Sequence, residues 1–153
     1  MPTLEQLSDR AELTDLVARL AGWLDTGAGG DATDVLADDV TASTPGGRAE
    51  GREAVVAQAR AAHDVPTLHQ ITNVLIDVDG DEATIGAAVT ATFATDGATG
   101  GRYELAARRT TAGWRLTSVG MRPVYRRGVV QLIGATPPAF HRPDRTAARP
   151  KRP

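Results

Sequence analysis

His69 is the residue in this chain best suited to move a proton. It sits in the run TLHQITNVLIDVDGDEATIGAAVTATFAT, residues 67–95, and an imidazole titrates near neutral pH, so it can take a proton from carbon or oxygen and return it. Two alternating β-branched segments flank Asp79-Gly80. That dipeptide suits the positive-φ positions of a type I′ turn, so the run reads as a hairpin with a two-residue loop. The loop sets a register with Val78 opposite Asp81, Ile76 opposite Ala83, Val74 opposite Ile85 and His69 opposite Thr90. Thr90 is then placed to hold a ligand oxygen beside the imidazole, or is there only for its β-propensity. Asn73, further along the strand, stands ~13–14 Å from His69 at ~3.4 Å per residue and belongs at the edge of any shared pocket. The alternative for His69 is a packed strand residue bonded to the backbone.

The same register sorts the hairpin into an apolar face (Leu68, Val74, Ile76, Ala83, Ile85, Val89, Phe93) and a mixed face (His69, Ile71, Asn73, Leu75, Thr84, Gly86, Ala88, Thr90, Thr92). Gly, Ala and Thr around one imidazole suit a ligand cavity, because a filled core would carry larger side chains there. RYELAARRTT and WRLTSVGMRPVY form a second hairpin around Ala112-Gly113, with Tyr103 opposite Arg122 and Arg109 opposite Leu116. Tyr103 and Arg122 would bind a carboxylate or enolate, or stack to stiffen the sheet. Asp38-Asp39 offers two carboxylates to a hard cation, but without further spaced ligands a turn is expected there, and no metal. His63 at a helix end and His141 near the C-terminus receive no role. With no cysteine there is no thiolate nucleophile and no disulfide framework. The chain carries no GxGxxG, P-loop, HExxH or GxSxG motif and no internal repeat.

Several elements must position these residues. Residues 4–25 place Leu13, Leu16, Val17, Leu20 and Leu24 at helical spacing, with Thr3 and Gln6 as a capping box. Gly27-Ala28-Gly29-Gly30 stops that helix, and Asp31 can cap a short second one over residues 32–37. Asp38-Asp39 follows as a turn, Val40–Ser43 as a short strand, and residues 44–47 as a loop. GREAVVAQARAAH is a third helix ending near His63. Residues 96–101 read as a glycine-rich loop.

At 153 residues one domain is expected, burying roughly 68–70% of the unfolded chain's surface, enough for a core plus an internal pocket. Its bounds are 1–133. Residues 134–153 form a Pro/Arg-rich tail, disordered or laid on the surface. Residues 1–125 carry 10 Lys+Arg against 18 Asp+Glu, while residues 126–153 carry 7 against Asp144 alone. An acidic body argues against a nucleic-acid surface on the folded part. No apolar run reaches the ~20 residues of a membrane span and the N-terminus lacks a secretory signal, so a cytoplasmic location is expected.

DRAELTDLVARLAGWLD, LADDVTAS, EGREAVVAQ, LHQITNVLIDVDGDEAT and GWRLTSVGMRP, in that order, resemble the SnoaL-like branch of the nuclear transport factor 2-like superfamily, with its polyketide cyclases and scytalone dehydratase. The resemblance covers about residues 5–126. It implies an aspartate from the last turn of the first helix, matched by Asp25, and a strand histidine, matched by His69, as an acid–base pair. Asp25 would orient the imidazole and Trp23 would wall the pocket beside it. The scytalone dehydratase site adds a second histidine on the neighbouring strand, where the register above puts Thr90.

The reading is an α+β cone, a curved antiparallel sheet wrapped around a long N-terminal helix, with three helices in all. The expected function is a cofactor-independent lyase, isomerase or cyclase acting on a small carbonyl- or enol-containing, polyketide-like molecule. His69 and Asp25 are its catalytic residues, and Thr90, Asn73, Trp23, Tyr103 and Arg122 contact substrate. The alternative is a non-catalytic ligand-binding or dimerisation module. A homodimer through the hairpin's Val74–Ile85 face is expected, since that face needs cover.

Overall fold

The computed structural model describes residues 1–128; the apolar run at 129–133 and the expected tail lie outside the described residues. Helix α1 (Leu4–Asp25) starts at the anticipated capping box, Thr3 Oγ1 accepting from Gln6 N and Gln6 Oε1 accepting from Thr3 N. Its stripe of Leu13, Leu16, Val17, Leu20 and Leu24 is buried against the sheet, each side chain worth roughly 1.5–3 kcal/mol. The helix ends where Gly27 (φ 76°) and Ala28 (φ 53°) turn left-handed, and Arg60 Nε from helix α2 (Arg52–Ala62) bonds Ala28 O at 3.0 Å.

Six strands follow the order β2-β1-β6-β5-β4-β3: β1 (Leu36–Thr44), β2 (Gly47–Glu50), β3 (Thr67–Asp79), β4 (Glu82–Phe93), β5 (Ala98–Thr110) and β6 (Gly113–Arg127). Neighbours are antiparallel except β1 and β6, which run parallel. The sheet is therefore mixed, not wholly antiparallel as expected.

Two helices, not three, are present among the described residues. Asp31 does cap, bonding Thr33 N at 2.9 Å, but the chain makes a single turn, with Leu36 N to Ala32 O at 2.8 Å. It then enters β1, where Leu36 pairs with Leu116. Leu36 is sealed completely, and that burial on a sheet outweighs the weak preference of a six-residue segment for helix. Asp38 and Asp39 accordingly lie in β1, not in a turn, and pair with Arg52 and Arg108. The loop expected at 44–47 is a tight turn into β2. The glycine-rich stretch at 96–101 is strand from Ala98 because Gly100 lets the Tyr125 ring lie directly against the backbone.

Both hairpins turn elsewhere than the dipeptides suggested. Asp79 pairs with Glu82, making Gly80-Asp81 the loop, so Ile76 faces Ile85. Arg109 faces Trp114 and Tyr103 faces Met121. The decisive irregularity is a β-bulge between Thr72 and Leu75, with Asn73 at φ 53°. Before it, His69 and Ile71 turn inward; after it, Val74, Ile76 and Val78 do. An extra residue reverses side-chain alternation, so the two expected faces merge into one inner face. That face packs on α1, with Arg10 Nη1 donating to Ile76 O at 2.7 Å. The Val74–Ile85 face is thus covered within the chain, and the reason for a second copy there falls away.

Candidate active site

The last residue of α1 meets the third residue of β3. Oδ1 of Asp25 accepts the backbone N–H of His69 at 2.9 Å and its ring Nδ1 at 2.7 Å. A carboxylate has no proton to give, so Nδ1 carries the hydrogen and Nε2 holds the basic lone pair. The His69 side chain is only 4% exposed and that of Asp25 22%. One carboxylate, fixed by the end of a buried helix, sets both the position of the strand and the tautomer of the ring.

His69 lines a cavity of about 120 Å³ between α1, α2 and the inner face of the sheet. Leu20, Trp23 and Leu24 come from α1, Val55, Gln58 and Ala59 from α2, and Val89, Ala91, Phe93, Thr99, Tyr103, Val119 and Met121 from the sheet. His69 pairs with Ala91 and Ala91 with Thr99, so an imidazole, a methyl and a hydroxyl stand in one row across three strands. The central alanine leaves the space above it open.

Tyr103 is buried on this wall, and burial first, then the nearby Asp25 charge, push its phenol well above the usual 10. It stays protonated and can donate a hydrogen bond. The indole N–H of Trp23 and the hydroxyl of Thr99 are buried without a partner among the described residues.

A second imidazole, given no role above, shares the cavity. The His63 ring lies 5.1 Å from that of His69, tilted 42°, and 6.5 Å from that of Phe93. Its Nδ1 donates to Ala59 O at 2.7 Å, leaving Nε2 as the basic atom. Burial, partly opposed by that hydrogen bond, lowers its pKa below 6.5. The signal was present in the sequence: Val55, Ala59 and His63 follow at four-residue steps on one helical face.

Of the residues expected at the site, the structure brings together His69, Asp25, Trp23 and Tyr103. It removes three. Thr90 faces Gln70 and Gly100 and points away from the cavity that Val89 and Ala91 line, because His69 is opposite Ala91. Asn73 is exposed and spent on the bulge, where its short polar side chain tolerates the left-handed backbone. Arg122, 71% exposed, ion-pairs with Glu104 on the outer face. Among the described residues no group of three or more His, Cys, Asp or Glu could hold a metal, and no helix is long and apolar enough to cross a membrane.

A model of the SnoaL-like domain matches residues 5–120. The chain belongs to the SnoaL-like family. Its two helices and curved six-stranded sheet are the nuclear transport factor 2-like fold on which that family is built. A protein of Kribbella flavida is 28% identical, covering 78% of this SnoaL-like chain and 93% of its own, with a TM-score of 0.68. A candidate scytalone dehydratase of Novosphingobium aromaticivorans is 20% identical over 85% and 96%, TM-score 0.72. A hexachlorocyclohexane dehydrochlorinase of Novosphingobium barchaimii is 18% identical over 88% and 99%, TM-score 0.70. The latter two are likenesses of fold alone. No curated protein matches the chain significantly.

Proposed function

We propose that this SnoaL-like protein is a lyase or isomerase that needs no cofactor, with His69 as its general base. The observation that carries the reading is the 2.7 Å contact between Asp25 Oδ1 and His69 Nδ1 at the wall of a partly open apolar cavity. Nε2 takes a proton from a carbon next to a carbonyl or another activating group. Asp25 faces the imidazolium that results, and the phenol of Tyr103 donates to the oxygen on which negative charge builds. The imidazolium then returns the proton to another carbon, or to a departing hydroxide, so the protein ends as it began. Dehydratase and dehydrochlorinase, the names carried by two proteins of the same fold, are both eliminations that begin with such a removal. One placed base supplies roughly 10²–10⁴-fold, so an already activated carbonyl or enol compound suits the site.

The test is a ligand screen by thermal shift and NMR on wild type and His69→Ala, followed by turnover assays on every binder. The expected result is turnover by wild type and binding without turnover by His69→Ala. Unchanged binding in the variant with no turnover by wild type would instead identify a passive ligand carrier.

A further inference from the structure

Resting on that reading of the cavity, we infer that its substrate carries a hydroxyl group as well as the activated C–H, and that His63 Nε2 accepts the hydrogen of that hydroxyl. His63 is a specificity-determining residue, distinct from the base.

The end of α2 prepares the ring. A continuing helix would bond the N–H of residue 63 to the carbonyl of Ala59. At His63 the backbone N–H turns to Arg60 O instead, at 3.3 Å, and the freed Ala59 carbonyl receives the ring Nδ1–H at 2.7 Å. A carbonyl only accepts, so the hydrogen is fixed on Nδ1 and Nε2 keeps a lone pair. Burial favours the uncharged ring. Near neutral pH, His63 therefore presents an acceptor at Nε2 and no donor.

That acceptor can be reached. Among the described residues three buried side-chain atoms are both unpartnered and sealed from solvent: Trp23 Nε1, Thr67 Oγ1 and Thr99 Oγ1. Nε2 of His63 and Nε2 of His69 have no protein partner among these residues either, and neither is one of the three. Both nitrogens thus keep accessible surface. Both rings line the same cavity, 5.1 Å apart between centroids.

Two ring nitrogens that each hold a lone pair cannot satisfy one another. Asp25 stands behind His69 to face the imidazolium that forms, whereas His63 has only a neutral carbonyl behind it. The proton of the C–H therefore goes to His69, and the O–H of the ligand keeps its proton while it donates to His63. The closeness of the rings puts that hydroxyl a few bonds from the C–H. A hydroxyl that donates to a base gains electron density on its oxygen and becomes a poorer leaving group, so it is retained in the product. The ligand class is a hydroxylated ketone, phenolic or aliphatic, whose carbonyl faces the Tyr103 phenol.

The chain has three histidines, so a long-range ¹H–¹⁵N spectrum of the full chain shows three imidazoles, and that of His63 is the set lost in His63→Phe. The probes, at pH 7, are 3′-hydroxyacetophenone, its methyl ether 3′-methoxyacetophenone, and acetophenone. The phenol is expected to move the His63 Nε2 signal upfield saturably while Nδ1 keeps its hydrogen; the other two should not. It should also bind about three- to tenfold more tightly than either, the worth of one neutral hydrogen bond. In His63→Phe that preference should fall to within about twofold. The wild-type readings decide alone should that variant fail to fold. A phenol that binds no more tightly than its ether, that leaves His63 Nε2 unmoved, or that keeps its preference in a folded His63→Phe would overturn the inference. Binding through His63 in a chain that turns over none of its ligands would sink the proposed catalysis and leave this inference standing. Turnover of a ketone without a hydroxyl, as fast as that of its hydroxylated counterpart, would do the reverse.

Discussion

A single carboxylate oxygen, Oδ1 of Asp25, receives both the backbone N–H and the ring Nδ1–H of His69. The ring can then neither rotate nor exchange tautomers without breaking the bond that joins α1 to β3. Asp25→Ala should remove the acceptor that holds the hydrogen on Nδ1 and let the His69 ring switch tautomer. Long-range ¹⁵N correlations of His69 should report that switch, and any turnover should drop by roughly 10²–10⁴-fold. An unchanged tautomer would show that the carboxylate does not set it.

Asn73 is where the inner face changes parity. At φ 53° a β-branched residue is strained, so Asn73→Val should cost about 1–2 kcal/mol in a urea melt. Asn73→Gly should stay within about 0.5 kcal/mol of wild type. Equal melts for the two variants would mean that the bulge relaxes freely.

Asp9, buried on α1, receives both ends of the Arg109 guanidinium at 2.6 and 2.8 Å and the Trp114 indole at 3.1 Å. The Arg109 hydrogen bonds, more than any other influence, hold its carboxyl below the ordinary 3.8. A folded-state pKa below the unfolded one gives stability that is present above about pH 3.8 and is lost as pH falls through the lower, folded value. Asp9→Asn should therefore lower the melting temperature at pH 7 by on the order of 5 °C. It should also flatten the acid limb of the stability curve. A variant whose curve parallels wild type below pH 4 would show another carboxylate to be responsible.

His63 carries the opposite charge with the same sign of slope. Burial lowers its pKa beneath 6.5, so in the window below 6.5 the unfolded chain binds a proton that the folded one refuses. Its contribution is complete above pH 6.5 and declines as pH falls toward the folded value. The melting temperature should fall less between pH 7 and 5.5 in His63→Phe than in wild type. If the two fall in parallel, His63 is not the group that titrates.

Local chemistry made much of this legible. The capping box at Thr3 and Gln6, the helix to Asp25 and the stop at Gly27 depend on neighbours in sequence, and all three appear where the sequence puts them. The hairpin turn moved by one residue, from Asp79-Gly80 to Gly80-Asp81, which slips the cross-strand pairing by two. Because alternation has a period of two, that slip alone leaves every side chain on its face. The bulge at Asn73 does not, and nothing in an alternating pattern announces an inserted residue. Thr90 was lost from the site for that reason, and Ala91 and Thr99 took its row. The run at 32–37 failed as a helix because Leu36 finds Leu116, eighty residues away in sequence.

By itself, then, the sequence determined the long amphipathic helix, the strand that carries an imidazole, and the residue types able to hold and move a proton, since each follows from periodicity, caps and side-chain chemistry within a short window. Which residues share the cavity was decided by tertiary structure alone. Asp25 and His69 are separated by 44 positions, His63 arrives from a helix end, and Thr99 comes from a strand whose start depends on the Tyr125 ring packing against Gly100. Those placements depend on bulges and cross-strand contacts between distant segments, and such contacts exist only once the chain has closed on itself.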